Sequence, residues 1–384
     1  MPRKIGLVVT ARPSYSRIKS ALSAIQAHPD LELQLIVAAS ALLDRYGAVV
    51  RYIEADGFKI SARVFNVLEG ENLITSAKTT GLGIMELATA FDNLEPDIVV
   101  TVADRYETLA TAVAASYMNI PVAHVQGGEV TGSIDEKVRH AVTKLSNYHF
   151  VSSKRAAERV EKMGEDPASI FLTGCPSVDL AAEVQASPAL DFVPFEKYGG
   201  VGAQADLADG YIVVMQHPVT TQFADSQTQI EATLEAAEKL DLPVLLFWPN
   251  VDAGSDSISR GIRKFREEGR GANFHYFKNM EPVDFLRLIL NSKAIVGNSS
   301  VGIRESSFLG IPTVNIGGRQ AGRERGANVI DVPHDASAIE AAICKQIEHG
   351  QYPSDPIYGA GNAGQHIADL LASVELKVEK QLTY

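Results

Sequence analysis

The sequence predicts an α/β protein made of two Rossmann-like, doubly wound domains facing each other across a cleft. Short apolar runs alternate with helix-spaced segments through the first half, as in a parallel sheet covered on both faces. The alternation restarts after Ser187–Asp209, a stretch with little apolar periodicity that carries Pro188, Pro194 and Gly199-Gly200-Val-Gly202. A length of 384 residues suits two domains better than one core.

In chain order, the first alternation places strands at Ile5–Thr10, Leu33–Ala38, Ile60–Val64, Ile98–Val102, Val122–Val125, His149–Val151 and Ile170–Leu172. Helices are expected at Tyr15–His28, Ala41–Asp56, Asn72–Leu94, Tyr106–Met118, Asp135–Leu145 and Lys154–Met163. The second alternation runs strand Gly210–Met215, helix Ser226–Leu240, strand Val244–Phe247, helix Ser257–Glu268, strand Phe274–Phe277 and helix Pro282–Asn291. Strand Ala294–Val296, helix Val301–Leu309 and strand Thr313–Ile316 follow. The expected division is 1–180, 181–363 and 364–384. The last piece is a helix, Gly364–Val378, that follows a Gly/Asn-rich turn and packs back on the N-terminal domain. Ligands bind at the carboxyl ends of strands in such sheets, so both sets of strand-end loops are expected to point into the cleft.

Composition excludes several classes. A formal net charge of -12 argues against a nucleic-acid surface. Cys175 and Cys344 form no CxxC and no metal-like cluster, which fits packed thiols in a reducing cytosol. The apolar run in the first ten residues is too short for a signal segment. No stretch approaches the roughly 20 apolar residues that span a bilayer. A cytoplasmic protein with no membrane partner is expected.

The most informative motif is Gly297-Asn-Ser-Ser-Val-Gly-Ile-Arg-Glu305-Ser-Ser-Phe-Leu-Gly310. Small polar residues at a strand-to-helix junction turn backbone N–H groups toward an anion. Ser299 and Ser300 add hydroxyl donors. Glu305, about a turn and a half further along a helix, can accept from a ribose diol. Diphosphate plus ribose points to a nucleotide. The loop Gly317-Gly318-Arg319-Gln-Ala-Gly322-Arg323-Glu-Arg325-Gly326 adds three arginines to neutralise a diphosphate, Arg319 being the best placed.

Other strand ends carry further candidates. Thr10-Ala-Arg12-Pro-Ser-Tyr-Ser16-Arg17 opens a helix, and Arg12 can grip a phosphate or carboxylate. Ala103-Asp104-Arg105-Tyr106-Glu107 reads either as a helix N-cap at Asp104 or as a functional acid–arginine pair. His124-Val-Gln126-Gly-Gly-Glu129 leads to Ser133, Asp135, Glu136, Arg139 and His140. A capping box accounts for Ser133 and Glu136, and a helix ion pair could account for Asp135 and Arg139. Three acids, an arginine and a histidine after a Gly-Gly turn nevertheless favour a reaction site. Gln216-His217-Pro218 holds a histidine extended at a strand end. Trp248-Pro249-Asn250-Val-Asp252-Ala-Gly254-Ser255 lines the cleft or merely turns the chain.

Together, Asp104-Arg105, Gly127-Gly128-Glu129 to Arg139-His140, Gln216-His217-Pro218, Pro249-Asn250 to Ser255 and Gly297-Asn-Ser-Ser300 to Arg319-Gln resemble the hydrolysing UDP-N-acetylglucosamine 2-epimerases of bacterial sialic-acid-type pathways. The resemblance runs from about residue 3 to 372. It implies the glycosyltransferase-B fold, conversion of UDP-N-acetylglucosamine and water to N-acetylmannosamine and UDP, and no metal or nicotinamide cofactor. It also implies a homodimer or homotetramer. The family's catalytic acids fall on Asp104 and Asp135, and a third family carboxylate falls on Gln126. Either Glu129 takes that role, or the chain acts on another sugar such as a 2,4-diacetamido-trideoxyhexose. UDP contacts carry over to Arg12, Ser16, Arg105, Asn250, Ser299, Ser300, Glu305 and Arg319, with His217 near the diphosphate. Ala103 stands where the family usually has glycine. A glycosyltransferase of the same fold, a non-hydrolysing epimerase and a non-catalytic nucleotide-sugar sensor remain the rival expectations.

Overall fold

The computed structural model describes residues 1–44, 48–68, 73–130, 135–249 and 255–383. The chain divides into two compact units. The first is built on Met1–Glu129, Asp135–Leu180 and Tyr358–Tyr384, and the second on Ala181–Ile357.

The first unit runs β1 (Arg3–Val9), α1 (Arg12–Ala27), β2 (Leu31–Ala38), α2 (Val49–Ala55), β3 (Ile60–Val64), α3 (Leu73–Leu94) and β4 (Ile98–Val102). It continues with α4 (Tyr106–Tyr117), β5 (Val122–Val125), α5 (Asp135–Leu145), β6 (Tyr148–Val151), α6 (Lys154–Lys162), β7 (Ile170–Leu172) and the start of α7 (Pro176–Ala186), whose residues from Ala181 onward belong to the second unit. Its sheet has the order β3-β2-β1-β4-β5-β6-β7, with every pairing parallel. Strand β1 shows why the sheet is buried on both sides. Leu7 and Val9 pack with Ile18, Leu22 and Ile25 of α1. Val8, one step along the pleat, packs with Leu87 and Phe91 of α3 on the opposite face. Each such side chain contributes roughly 1.5–3 kcal/mol on burial.

The second unit runs α8 (Pro194–Tyr198), β8 (Val201–Gly202), β9 (Ile212–Met215), α9 (Ser226–Glu238), β10 (Val244–Phe247), α10 (Ser255–Glu267), β11 (Phe274–Phe277) and α11 (Pro282–Leu290). Then come β12 (Ala294–Gly297), α12 (Glu305–Leu309), β13 (Thr313–Ile316), β14 (Val329–Val332) and α13 (Ala336–His349). Its sheet order is β14-β13-β12-β9-β10-β11-β8. Only β8 is antiparallel, at the edge. Helix α14 (Ala363–Ser373) belongs to the first unit, where Ile367, Ala368 and Leu371 join the α1 side of its core.

In each sheet the winding direction reverses between the first strand of the alternation and its fourth: β1 beside β4, and β9 beside β12. Crevices outside the carboxyl ends of strands at such reversals are where doubly wound sheets bind ligands.

Several expectations need correction. The helix read over Ala41–Asp56 is a 3₁₀ turn, Ala39–Leu42, followed separately by α2. Ser187–Asp209 is more than a linker, because it contains α8 and edge strand β8. Strand β14 and helix α13 follow the arginine-rich loop, where neither was expected. The Val301–Leu309 helix is broken into a 3₁₀ turn, Ser300–Gly302, and α12. There the Ser306 and Ser307 hydroxyls donate to the carbonyls of Val301 and Ile303 at 2.8 and 2.7 Å, a local competition that disfavours a regular helix. Glu305 therefore opens α12 instead of lying inside a helix begun at Val301. The final helix stops at Ser373, short of Val378. Among the described residues no helix is long and apolar enough to cross a membrane.

Candidate active site

In the first unit, candidate residues gather at the carboxyl ends of β1, β4 and β5. After β1, the Ser14 hydroxyl oxygen accepts from the Thr10 and Ala11 N–H groups at 3.2 and 2.9 Å, closing the turn into α1. Arg12 is the first residue of α1, and its side chain lies outside the described residues. Ser16 donates to the Pro13 carbonyl at 3.2 Å. Arg17, which was not singled out, reaches the Asp104 carboxylate at 4.0 Å.

After β4 the chain passes through Ala103 at φ 68. This left-handed conformation strains a side-chain-bearing residue and suits glycine, which explains the family's usual residue there. Asp104 follows, 6% exposed. It does not cap α4: the N-cap is Arg105, with no side-chain cap bond. The Asp104 carboxylate instead pairs with the guanidinium of Arg139, itself 1% exposed. Arg139 is thereby turned to Asp104 and, at 3.9 Å, to Glu136. Arg105 donates through Nε to buried Glu107 at 3.3 Å.

After β5, Gln126 also has positive φ, 69, and is 1% exposed. Its Nε2 donates to Cys175 Sγ at 2.9 Å, while its Oε1 is buried with no hydrogen-bond partner among the described residues. Gly128 has φ 73, and a Cβ there would lie 2.2 Å from the Ala156 carbonyl oxygen. The Gly-Gly turn thus sits against α6 and aims Glu129 inward, where Ser152 donates to its Oε1 at 2.6 Å. Glu129 is 3% exposed. Asp135 begins α5. His140 is paired through Nε2 with Glu136 at 2.9 Å. Ser133 lies outside the described residues, so the capping-box expectation does too.

His124 ties these turns together. Burial pushes its pKa down to about 4, against an opposing bond to the Ala103 carbonyl. A carbonyl only accepts, so the neutral ring donates through Nε2 to Ala103 at 2.8 Å and accepts at Nδ1 from the Thr143 hydroxyl, 3.3 Å away. An unfolded histidine titrates near about 6.5, so the unfolded chain binds more protons between there and about 4. His124 therefore contributes stability that is complete above the upper value and lost as pH falls toward the lower one. The linkage is on the order of 3 kcal/mol. In urea denaturation, the wild type is expected to lose that much more than His124→Asn between neutral pH and pH of about 4. Parallel pH profiles would contradict this assignment.

In the second unit, the ends of β9, β12 and β13 converge on Asn298. Its Oδ1 accepts from the His217 N–H at 2.7 Å and its Nδ2 donates to the His217 carbonyl at 2.8 Å. Its own carbonyl receives Arg319 Nη1 at 3.1 Å and Gln320 Nε2 at 2.8 Å. Ser299 is the N-cap of the 3₁₀ turn, and Ser300 begins it. Both are partly exposed beside this knot. Glu305 keeps one buried carboxylate oxygen, Oε2, with no partner among the described residues. Asn250 lies outside the described residues.

Asn298, Arg17, Ser152 and Cys175 were not anticipated. Asn298 and Arg17 stood inside motifs already singled out, whereas Ser152 and Cys175 meet their partners only through the fold.

The family model for UDP-N-acetylglucosamine 2-epimerase matches residues 23–372, most of the chain. The protein belongs to the UDP-N-acetylglucosamine 2-epimerase family. It is 31% identical over 376 residues to a Legionella pneumophila UDP-N,N'-diacetylbacillosamine 2-epimerase (hydrolyzing), covering 98% of this chain and 97% of that one. It is 29% identical over 366 residues to a Neisseria meningitidis UDP-N-acetylglucosamine 2-epimerase, covering 94% and 92% respectively. In fold it resembles the crystal structure of UDP-GlcNAc 2-epimerase from Neisseria meningitidis bound to UDP-GlcNAc, with TM-score 0.81, 18% identity and coverage of 96% and 99%. The epimerase fold is thus two parallel-sheet α/β domains of the glycosyltransferase-B type.

Proposed function

We propose that this epimerase is of the hydrolysing kind and converts UDP-N-acetylglucosamine and water to N-acetylmannosamine and UDP. The observation that carries the epimerase chemistry is the buried acid cluster at the ends of β4 and β5, where Asp104 is paired with Arg139 and Glu129 is held by Ser152, while the hydrolysing outcome rests on the resemblance in motifs. A transferase or a nucleotide-sugar sensor has no need of it.

The C2 proton of the sugar is not acidic, because no carbonyl adjoins it. The C1–O bond to UDP breaks first, its electron pair leaving on the diphosphate and positive charge developing at C1. Arg105, Arg319, His217 and the Ser299–Ser300 turn stabilise the departing diphosphate. A carboxylate among Asp104, Glu129 and Asp135 then takes the C2 proton, and the C–H electrons form the C1–C2 double bond of a glycal. Inversion requires a second acid to return a proton to the opposite face of C2. Water adds its oxygen to C1 and gives up a proton. Gln126 exchanges no proton, and its Oε1, which has no partner among the described residues, is suited to accept from an N–H or O–H of the bound sugar. A homo-oligomeric, cytoplasmic enzyme belongs to the same reading and rests on the resemblance in motifs.

A second reading keeps this chemistry and changes the sugar to a UDP-2,4-diacetamido-trideoxyhexose. The Legionella relative, matched over nearly its whole length, favours it.

Incubation with each nucleotide sugar in heavy water tests the route. The released free 2-acetamido sugar is expected to carry deuterium at C2 and the inverted configuration, both read by NMR. Protium alone at C2 would exclude elimination. A product still attached to UDP would make the enzyme non-hydrolysing.

A further inference from the structure

We propose that the C-terminal tail after α14 is a brace for α5, and that Lys380 is a positioning residue acting through that helix. α5 carries Asp135 in its first turn and Arg139, the partner of Asp104, in its middle. The carbonyls at a helix end have no partners within the helix. At the end of α5 they are taken up from the tail: Lys380 Nζ lies 3.0, 2.9 and 2.6 Å from the carbonyls of Thr143, Lys144 and Ser146, sharing its three N–H donors among these oxygens and Glu165. An ammonium there also complements the negative end of the helix dipole.

The same ammonium is anchored from below. It pairs with Glu165 Oε2 at 2.5 Å, and Lys144 pairs with Oε1 at 2.5 Å. His149 donates through Nε2 to Oε2 at 2.9 Å. Glu165 is almost wholly buried. Burial alone would push its carboxyl up, but the His149, Lys144 and Lys380 hydrogen bonds together bring it down to about 2. Further bonds hold the tail along its length. Asn147 Nδ2 donates to the Lys377 and Val378 carbonyls at 2.9 and 3.0 Å. The Tyr148 hydroxyl donates to Glu375 and accepts from the Lys377 N–H. The Thr383 N–H reaches the Gly164 carbonyl at 3.1 Å.

A cation that bridges a helix end to a buried carboxylate sets where that helix stops. Through α5 it sets where Arg139 presents its guanidinium to Asp104. Displacing a catalytic group by about 1 Å can cost up to about 10²-fold in rate without loss of binding.

The inference rests on the reading that Asp104 serves the reaction, so two readouts are taken on the full-length protein. Lys380→Met is expected to raise hydrogen exchange in α5 and to lower kcat about 10-fold, with KM changed less than about twofold. Lys380→Arg, which keeps the cation and its donors, is expected to recover most of both. If Lys380→Met fails to fold, Asn147→Asp serves in its place. It keeps the oxygen that accepts from the Val122 N–H and removes the donor to the Lys377 and Val378 carbonyls. Unchanged α5 exchange, an unchanged kcat, or an Arg variant as impaired as Met would overturn the proposal. A wild type that turns over no nucleotide sugar sinks the functional reading instead, and α5 exchange alone then decides whether the brace exists.

Discussion

Asp104→Asn is expected to lower turnover by at least about 10²-fold while UDP binding persists, because in the proposed mechanism this carboxylate moves or steers a proton and does not hold the nucleotide. The substitution is nearly isosteric, so the β4 turn keeps its shape. It removes the anion facing Arg139, and the guanidinium is left buried without that charge. Breaking a buried pair from one side costs about 3–5 kcal/mol, less where the replacement still accepts a hydrogen bond as Asn does. Lower thermal stability should therefore accompany the lost rate. Calorimetric titration with UDP and NMR detection of the released sugar separate the two effects. A near-normal rate would remove Asp104 from the chemistry. A rate and UDP affinity that fall together would move it to the binding machinery.

Gly297→Ala is expected to be severely damaging in the second unit. Gly297 has φ 135, where a side chain is strained, and a Cβ would stand 2.0 Å from the Met215 carbonyl oxygen. The obstacle is backbone of the neighbouring strand β9, to which Gly297 is paired in register. Strand β12 has to shift, taking Asn298 and the Ser299–Ser300 turn with it. A loss above about 3 kcal/mol in urea denaturation and a drop of at least about 10-fold in UDP affinity are expected. Gly318→Ala is the control, since nothing lies within 4 Å of its Cβ position. Equal stability of the two variants would contradict the geometry.

The strands were legible because a sheet covered on both faces writes them as unbroken apolar runs. Ile98–Val102, Val122–Val125 and Phe274–Phe277 lie where the apolar pattern predicted them. Strand β14 carries Asp331 and lies half exposed at a sheet edge, so its pattern is thin. β8 is a strand only by pairing with β11, which no local pattern encodes. α13 did carry a signal, with Ile339, Ala342, Ile343 and Gln346 buried at helical spacing behind an Asp335 cap. At the site, residue types at strand ends were legible, but partnerships were not. Helix spacing offered Arg139 to Asp135, but nothing local announced that Arg139 also meets Asp104 across a strand-end turn. Cys175 showed no motif at all and meets Gln126 only through the sheet.

Asn298 fastens three separate loops with one amide side chain and one carbonyl. Damage there will mimic damage to residues it merely supports. Alanine at this position removes the amide that holds His217 and frees the loop whose carbonyl receives Arg319 and Gln320, so it should score, in any survey of loss-of-function alleles, like a lesion in the proposed nucleotide contacts. Only a comparison with His217 and Arg319 variants, altered singly and in combination, would show one shared defect where a simple tally counts three.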